Sequence, residues 1–212
     1  MFDAILFDND GVLVDTEHLY FRANQETLAG VGIDLDAATY VELFLREGRG
    51  AWHLARERGV ATADIEALRA ARDRRYVELV DDADILIPGV ADIVPALARR
   101  YRLAIVTSSE PTPFARTHAR TGLLDHFEVV LKQGDYARAK PEPDPYLRAV
   151  ERLGVRGERC LVIEDSERGL RAAKAAGLRC WVIPSALTAG GRFDAADAVL
   201  DGLAAAAARL LG

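Results

Sequence analysis

Three short polar clusters in this sequence each follow an apolar run. Asp8-Asn9-Asp10-Gly11 follows Ile5-Leu6-Phe7, Thr107-Ser108-Ser109 follows Leu103-Ala104-Ile105-Val106, and Glu164-Asp165-Ser166 follows Cys160-Leu161-Val162-Ile163. A lysine, Lys140, precedes Pro141 in the segment after Val129-Val130-Leu131. Several carboxylates brought to one place repel one another unless a cation lies among them. Only oxygen donors are on offer, with no His or Cys nearby in sequence, which suits a hard cation, Mg²⁺ ahead of Ca²⁺. A Mg²⁺ site keeps waters and binds a substrate phosphate. A lysine adds a fixed positive charge and a hydroxyl adds a donor. That set matches phosphoryl transfer, which requires positioning and stabilisation of charge on the equatorial oxygens. A carboxylate can also be the nucleophile.

Each cluster alone has a plainer reading. Asp-x-Asp-Gly can be a turn or a piece of a calcium loop. Thr107 can be a helix cap, Lys140 a solvated surface lysine, and Glu164-Asp165-Ser166 a charged helix start. The weight lies in their joint occurrence, each beyond a separate apolar segment.

The elements that must position them read as follows. Ile5–Phe7 is a buried strand with a turn at Gly11. From about Thr16 to Asp84 the texture is Ala-, Arg-, Glu- and Leu-rich with apolar residues at helical spacing, as in Tyr20, Ala23, Thr27 and Leu28, and predicts three to five helices and no strand. After Pro88-Gly89, helices are predicted over Val90–Arg100, Thr112–Thr121, Asp144–Leu153 and Ser166–Ala176. Asp144 is the expected N-cap, with Pro145 at the first helical position. Strands are predicted over Leu103–Val106, Val129–Leu131, Cys160–Ile163 and Cys180–Ile183, with a weak one at Ala198–Leu200 before an Ala-rich terminal helix. Continuous apolar strands alternating with helices indicate a parallel sheet covered on both faces. The expected fold is therefore α/β: a doubly wound, Rossmann-like parallel sheet formed by residues 1–15 and 88–212, with an all-helical insert over 16–87. Ligands in such sheets bind beyond the carboxyl ends of the strands, where the polar clusters stand.

The chain has 212 residues, of which 50% are hydrophobic and 28% charged, with a formal net charge of −6 and a pI near 5.3. That composition suits a packed globular protein, and the acidic balance argues against a general nucleic-acid or anionic-membrane binder. Asp3, Asp8 and Asp10 interrupt the early apolar run, so no signal peptide is expected, and no stretch approaches the roughly 20 apolar residues of a membrane span. Cys160 and Cys180 read as reduced core thiols. A cytoplasmic protein is expected, a monomer by default with a homodimer left open.

These motifs resemble those of the haloacid dehalogenase-like hydrolase superfamily over nearly the whole chain. The first is Phe7-Asp8-Asn9-Asp10-Gly11-Val12-Leu13-Val14-Asp15-Thr16-Glu17, the second Thr107, the third Lys140-Pro141-Glu142-Pro143-Asp144-Pro145-Tyr146, and the fourth Val162-Ile163-Glu164-Asp165-Ser166 with Gly169. The insert is similar to the helical cap of the phosphoglycolate phosphatase and β-phosphoglucomutase branch. The resemblance implies that Asp8 is the nucleophile and that Asp10 protonates the leaving oxygen, then activates water. It implies a Mg²⁺ cofactor held by Asp8, the main-chain carbonyl of Asp10 and Asp165, with Glu164 ligating or one step removed, and a phosphoryl group held by Thr107 and Lys140. Asn9, Gly11, Thr16 and Ser108 are the expected substrate-binding positions of the core. Two departures stand out. Asn9 fills a position commonly apolar, which alters packing or adds a donor. Tyr20 stands where the mutase branch places a histidine, which counts against a mutase. The acid at Asp10 argues against a dehalogenase.

In the insert, Arg46 and Arg49 flank Glu47-Gly48, and a glycine-rich loop with arginines suits anion binding; Arg49 is the candidate substrate contact. His18 and Tyr20 are placed to face a cleft, whereas His53, His118 and His126 have no partner in sequence. No P-loop, dinucleotide fingerprint, G-x-S-x-G or zinc spacing occurs. The expected function is a Mg²⁺-dependent phosphatase acting on a small phosphorylated metabolite, such as a sugar phosphate or phosphoglycolate, through an aspartyl-phosphate. The alternatives are a phosphomutase and a non-enzymatic phosphate- or metal-binding protein.

Overall fold

The computed structural model describes residues 1–212. Strands β1 (Ala4–Phe7), β2 (Arg102–Val106), β3 (Val129–Leu131), β4 (Cys160–Glu164), β5 (Arg179–Val182) and β6 (Ala198–Val199) form one sheet, all pairs parallel, in the order β3-β2-β1-β4-β5-β6. The chain leaves β1 toward one edge through β2 and β3, then crosses back to β4 on the other side of β1. Right-handed crossovers in opposite directions place their helices on opposite faces. Helices α5 (Val90–Ala98), α6 (Pro111–His118) and α9 (Leu203–Leu211) cover one face, α7 (Asp144–Leu153) and α8 (Glu167–Ala175) the other. Strand alternation supplies both cores: Ile5, Phe7, Ile105 and Ile163 point one way, Leu6, Ala104, Val106 and Val162 the other. The direction of winding reverses between β1 and β4, so the carboxyl ends of these two neighbours flank a crevice.

Predicted and observed elements agree in kind and order, with differences at the ends. The helix predicted over Thr112–Thr121 stops at His118, where the Thr121 N–H donates to the His118 carbonyl at 3.3 Å in a tighter turn that does not continue the helix. The N-cap before α7 is Pro143, not Asp144. Asp144 lies inside the helix, and its carboxylate takes Arg138 at 2.9 Å instead of capping the backbone.

Between β1 and α5 the chain forms α1 (Glu17–Ala29), α2 (Ala37–Tyr40) running into a wider turn over Val41–Arg46, α3 (Trp52–Glu57) and α4 (Thr62–Asp81). These have a core of their own, with Leu28, Leu35, Tyr40, Trp52 and Ile65 buried together. The two connections to the sheet pair with each other: Val14 bridges Leu86, and Asp15 N–H donates to the Ile85 carbonyl at 2.8 Å. No helix is long and apolar enough to cross a membrane.

Candidate active site

The four polar positions meet at the carboxyl edge of the sheet. Lys140 is 5% exposed. Its ammonium has three donors and uses all of them, on Asp8 Oδ1 at 2.7 Å, Glu164 Oε1 at 2.7 Å and the Val106 carbonyl at 2.8 Å. The carbonyl belongs to the last residue of β2, so one side chain ties together the ends of β1, β2 and β4. Burial alone would lower the Lys140 pKa, but the charges of Asp8 and Glu164 outweigh it and hold the group well above its usual value.

Glu164 is fully buried, and both its oxygens are occupied. Oε1 also accepts from Tyr146 Oη at 2.6 Å; Oε2 accepts from the N–H groups of Asp165 and Ser166 and from Ser166 Oγ at 3.0 Å. Burial would raise its pKa, but Lys140 and these donors hold it below the usual value. A Cβ on Gly169 would lie 1.8 Å from Glu164 Oε1, so only glycine lets α8 pass this carboxylate.

Asp8 and Asp165 are the destabilised pair. Burial pushes Asp8 up to about 7, Lys140 opposing and the charges of Glu164 and Asp10 adding. Burial likewise pushes Asp165 well above the usual carboxylate range, with the charges of Asp8 and Glu164 adding. One ammonium thus serves several buried carboxylates. Oxygens of Asp8, Glu164 and Asp165 all lie within 4.8 Å of one another. This oxygen-only, over-negative set fits a hard divalent cation. Because Glu164 is saturated by donors, Asp8 and Asp165 are the side chains with capacity to hold it. Gly11, with φ +80°, brings the turn after β1 so close that a Cβ there would lie 2.3 Å from Asp165 Oδ2.

Asp10 lines a cavity of about 660 Å³ between the sheet edge and the helical insert. Its Oδ1 accepts from Thr16 Oγ1, and its Oδ2 from Ser109 Oγ at 3.0 Å and Asn9 Nδ2 at 3.3 Å. Asp8, Asp10, Thr107, Ser108, Lys140 and Asp165 line the cavity floor. Asn9, Gly11 and Thr16, expected as substrate contacts, do not reach it: all are buried, and Thr16 and Asn9 face Asp10 instead.

On the opposite wall stand Arg49, Arg69 and Arg72 with Tyr20 and Trp52. Arg46 is turned away, pairing with Glu42 at 3.0 Å and with Glu167 of α8 at 3.1 Å. His18 is exposed beside Asp15. Tyr20 does face the cavity, and its hydroxyl accepts from Arg72. His118, for which the sequence offers no partner, is buried with Nε2 2.8 Å from Asn9 Oδ1. The sequence also gives no role to Ser109, Glu17 and Tyr146, which stand within the quoted clusters and motifs, or to Arg168, which stands outside them. Glu17 lines the cavity, and burial and the Asp10 charge push its carboxyl up to about 7. Arg168 Nε and Ser108 Oγ, both in the cavity wall, are buried without a hydrogen-bond partner in the chain. Ser109 closes the Thr107-Ser108-Ser109 cluster and Arg168 follows the Glu164-Asp165-Ser166 cluster, so position in or beside a cluster is the available signal for both.

A family model for haloacid dehalogenase-like hydrolases matches residues 2–177, and the chain belongs to that family. Protein CbbY of Rhodobacter capsulatus is 38% identical, covering 98% of this chain and 96% of its own length. The fructose-1-phosphate phosphatase YqaB of Escherichia coli is 30% identical, covering 82% of this chain and 93% of its own. A crystal structure of CbbY from Rhodobacter sphaeroides in complex with xylulose-1,5-bisphosphate is 35% identical, with a TM-score of 0.80 over 96% of each chain. The resemblance drawn from the four motifs is borne out, as is the expectation of a phosphoric monoester hydrolase, and the parallel six-stranded α/β core is that of the family.

Proposed function

We propose that this hydrolase is a Mg²⁺-dependent phosphatase of small sugar phosphates, working through an aspartyl-phosphate on Asp8. The observation that carries this reading is the position of Asp8: its carboxylate is locked to Lys140 at 2.7 Å and faces the cavity beside Asp10 and Asp165. An Asp8 oxygen attacks phosphorus, and the bond from phosphorus to the sugar oxygen breaks. Asp10 delivers a proton to that oxygen as it leaves. A water then attacks the phosphorus of the aspartyl-phosphate, Asp10 takes its proton, and phosphate departs with the Asp8 carboxylate restored. Thr107 and Ser108, on the cavity floor, donate to phosphoryl oxygens. Lys140 keeps Asp8 in line and offsets charge on the transferring group. Mg²⁺ held by Asp8, Asp165 and the Asp10 carbonyl supplies, when bound, the positive charge that lets an anionic phosphate meet an anionic nucleophile.

Residues 16–87 act as a cap that closes on the core and excludes water. The pairing of its two connections, Val14 with Leu86, suits such a movement as one unit. The cap wall carries three arginines, Arg49, Arg69 and Arg72, against two carboxylates, Glu17 and Asp73, and the core adds Arg168. That favours a sugar carrying a second anionic group, so sugar bisphosphates are the preferred substrates over monophosphates. The R. sphaeroides relative solved with a sugar bisphosphate is in keeping with this choice. A mutase is disfavoured because Tyr20 is held by Arg72 and offers Asp10 nothing. A non-enzymatic binding role is disfavoured by the pairing of Asp8 with Asp10 in one cavity.

Phosphate release from a panel of sugar mono- and bisphosphates, with Mg²⁺ and with Asp8→Asn as control, tests the reading. No turnover above the control would overturn it. Interconversion of sugar-phosphate isomers outpacing phosphate release would replace it with the mutase.

A further inference from the structure

Behind the turn that carries Asp8 and Asp10 lies a buried polar chain that the reaction above does not use. His118, the last residue of α6, is 5% exposed and Asn9 1%. His118 Nε2 lies 2.8 Å from Asn9 Oδ1, and His118 Nδ1 lies 3.0 Å from Thr121 Oγ1. An amide oxygen can only accept, so Nε2 carries the hydrogen and Nδ1 accepts from the threonine hydroxyl. With Oδ1 turned to the imidazole, Asn9 Nδ2 points at Asp10 Oδ2, 3.3 Å away. The reversed amide would set Nδ2 against the imidazole N–H and Oδ1 against a carboxylate, so the network fixes the orientation. The ring itself is anchored against Phe114, with centroids 4.6 Å apart, in the core beneath the sheet.

We propose that His118 and Asn9 are positioning residues for Asp10: the imidazole sets the Asn9 amide, and the amide sets the plane of the Asp10 carboxyl group against the leaving oxygen. The chain moves no proton, because an amide between the two cannot relay one. The proposal rests on the reading of Asp10 as the acid. Its consequence is specific. An ill-aimed acid harms substrates whose leaving group needs a proton and spares those whose leaving group does not.

The test compares a sugar phosphate, a poor leaving group, with p-nitrophenyl phosphate, a good one, in the same preparation, so that any loss of folded protein cancels in the ratio. His118→Phe keeps the ring and removes the donor. It is expected to lower kcat for the sugar phosphate about tenfold relative to p-nitrophenyl phosphate with KM little changed, the worth of one orienting hydrogen bond. Asn9→Leu is expected to shift the ratio equally, and the double variant no further, because both break one chain. His118→Gln, which can still donate, is expected to recover most of the ratio. An unchanged ratio in His118→Phe, or effects that multiply in the double variant, would overturn the proposal. Asp10→Asn separates the two layers: if it shifts the ratio and His118→Phe does not, only the positioning chain fails; if Asp10→Asn leaves the ratio alone, the acid role fails and the chain with it.

Discussion

Lys140 donates to Asp8 across 2.7 Å with only 3% of the lysine side chain and 12% of the aspartate side chain exposed. All three ammonium donors are engaged, and the third partner, Glu164, is fully buried. Lys140→Met leaves two carboxylates in the interior without a cation. The expected result is a loss of at least about 100-fold in kcat and, in urea unfolding without metal, of about 3–5 kcal/mol. Lys140→Arg is expected to fail nearly as badly, since a planar fork cannot reach three acceptors arranged around a compact ammonium. Near-wild-type turnover in either variant would remove Lys140 from the mechanism.

Asp165 carries the strongest sign of a cation site. Its carboxyl is driven up by burial, with Asp8 and Glu164 adding. A group whose folded pKa is raised favours folding at low pH, and that contribution is lost as pH rises through the folded value. Above neutral pH the metal-free protein therefore gains when this charge is deleted. Asp165→Asn is expected to melt at the same or a higher temperature than wild type without metal at pH 8, yet to lose turnover. Mg²⁺ raises the wild-type melting temperature by linkage and leaves that of Asp165→Asn unmoved. A variant that still responds to Mg²⁺ as wild type does would place the cation elsewhere.

His118 gives the opposite pH signature. Burial lowers its pKa from the usual 6.5 to about 4, with only a partial upward pull from Asp10. Below pH 6.5 the unfolded chain takes a proton that the folded chain refuses, so this group's contribution is lost as pH falls toward 4. His118→Phe lacks that loss. The stability difference between wild type and His118→Phe, measured by urea unfolding, is expected to move in the variant's favour by about 2 kcal/mol between pH 7.5 and pH 5. A difference independent of pH would mean that the imidazole is not held neutral.

The α/β core was legible because two physical patterns coincide in it. Runs such as Ile5–Phe7 and Cys160–Ile163 are apolar throughout because helices cover both faces of the sheet, and each ends on the residues that must face the crevice. Asp8, Asp10 and Asp165 could be picked out because each follows closely on a strand end, and Lys140 because it precedes Pro141 in the segment after β3. His118 could not, since it meets Asn9 across 109 residues of chain and only the packing of α6 under β1 brings them together. The glycine loop around Arg46 and Arg49 was legible only in part, since Arg49 lines the cavity and Arg46 does not. Both arginines suit an anion, but the wide turn over Val41–Arg46 aims Arg46 at Glu42 and Glu167, and no local pattern encodes that aim. Asn9, Gly11 and Thr16 stand in the same sequence motif as Asp8 yet do not line the cavity; Asn9 and Thr16 donate to Asp10, and Gly11 makes room for Asp165.

Under the proposed function, Arg168 is the core residue expected to bear on substrate choice. It stands in the first turn of α8, just past Asp165, and its side chain lies against the cap loop: a Cβ on Gly48 would come within 2.5 Å of Arg168 Nη1. Its Nε is buried in the cavity wall with no acceptor in the chain. A buried guanidinium donor left unmatched is costly, and a substrate oxygen at the sugar end would relieve that cost. Arg168→Ala is therefore expected to raise KM for a sugar bisphosphate about 10- to 100-fold while changing kcat/KM for p-nitrophenyl phosphate, which has nothing to place there, by less than about threefold. Gly48→Ala, strained at φ +69° and crowding the same guanidinium, should raise KM in the same direction. Indifference of KM to Arg168→Ala for every sugar phosphate in the panel would remove this guanidinium from substrate binding.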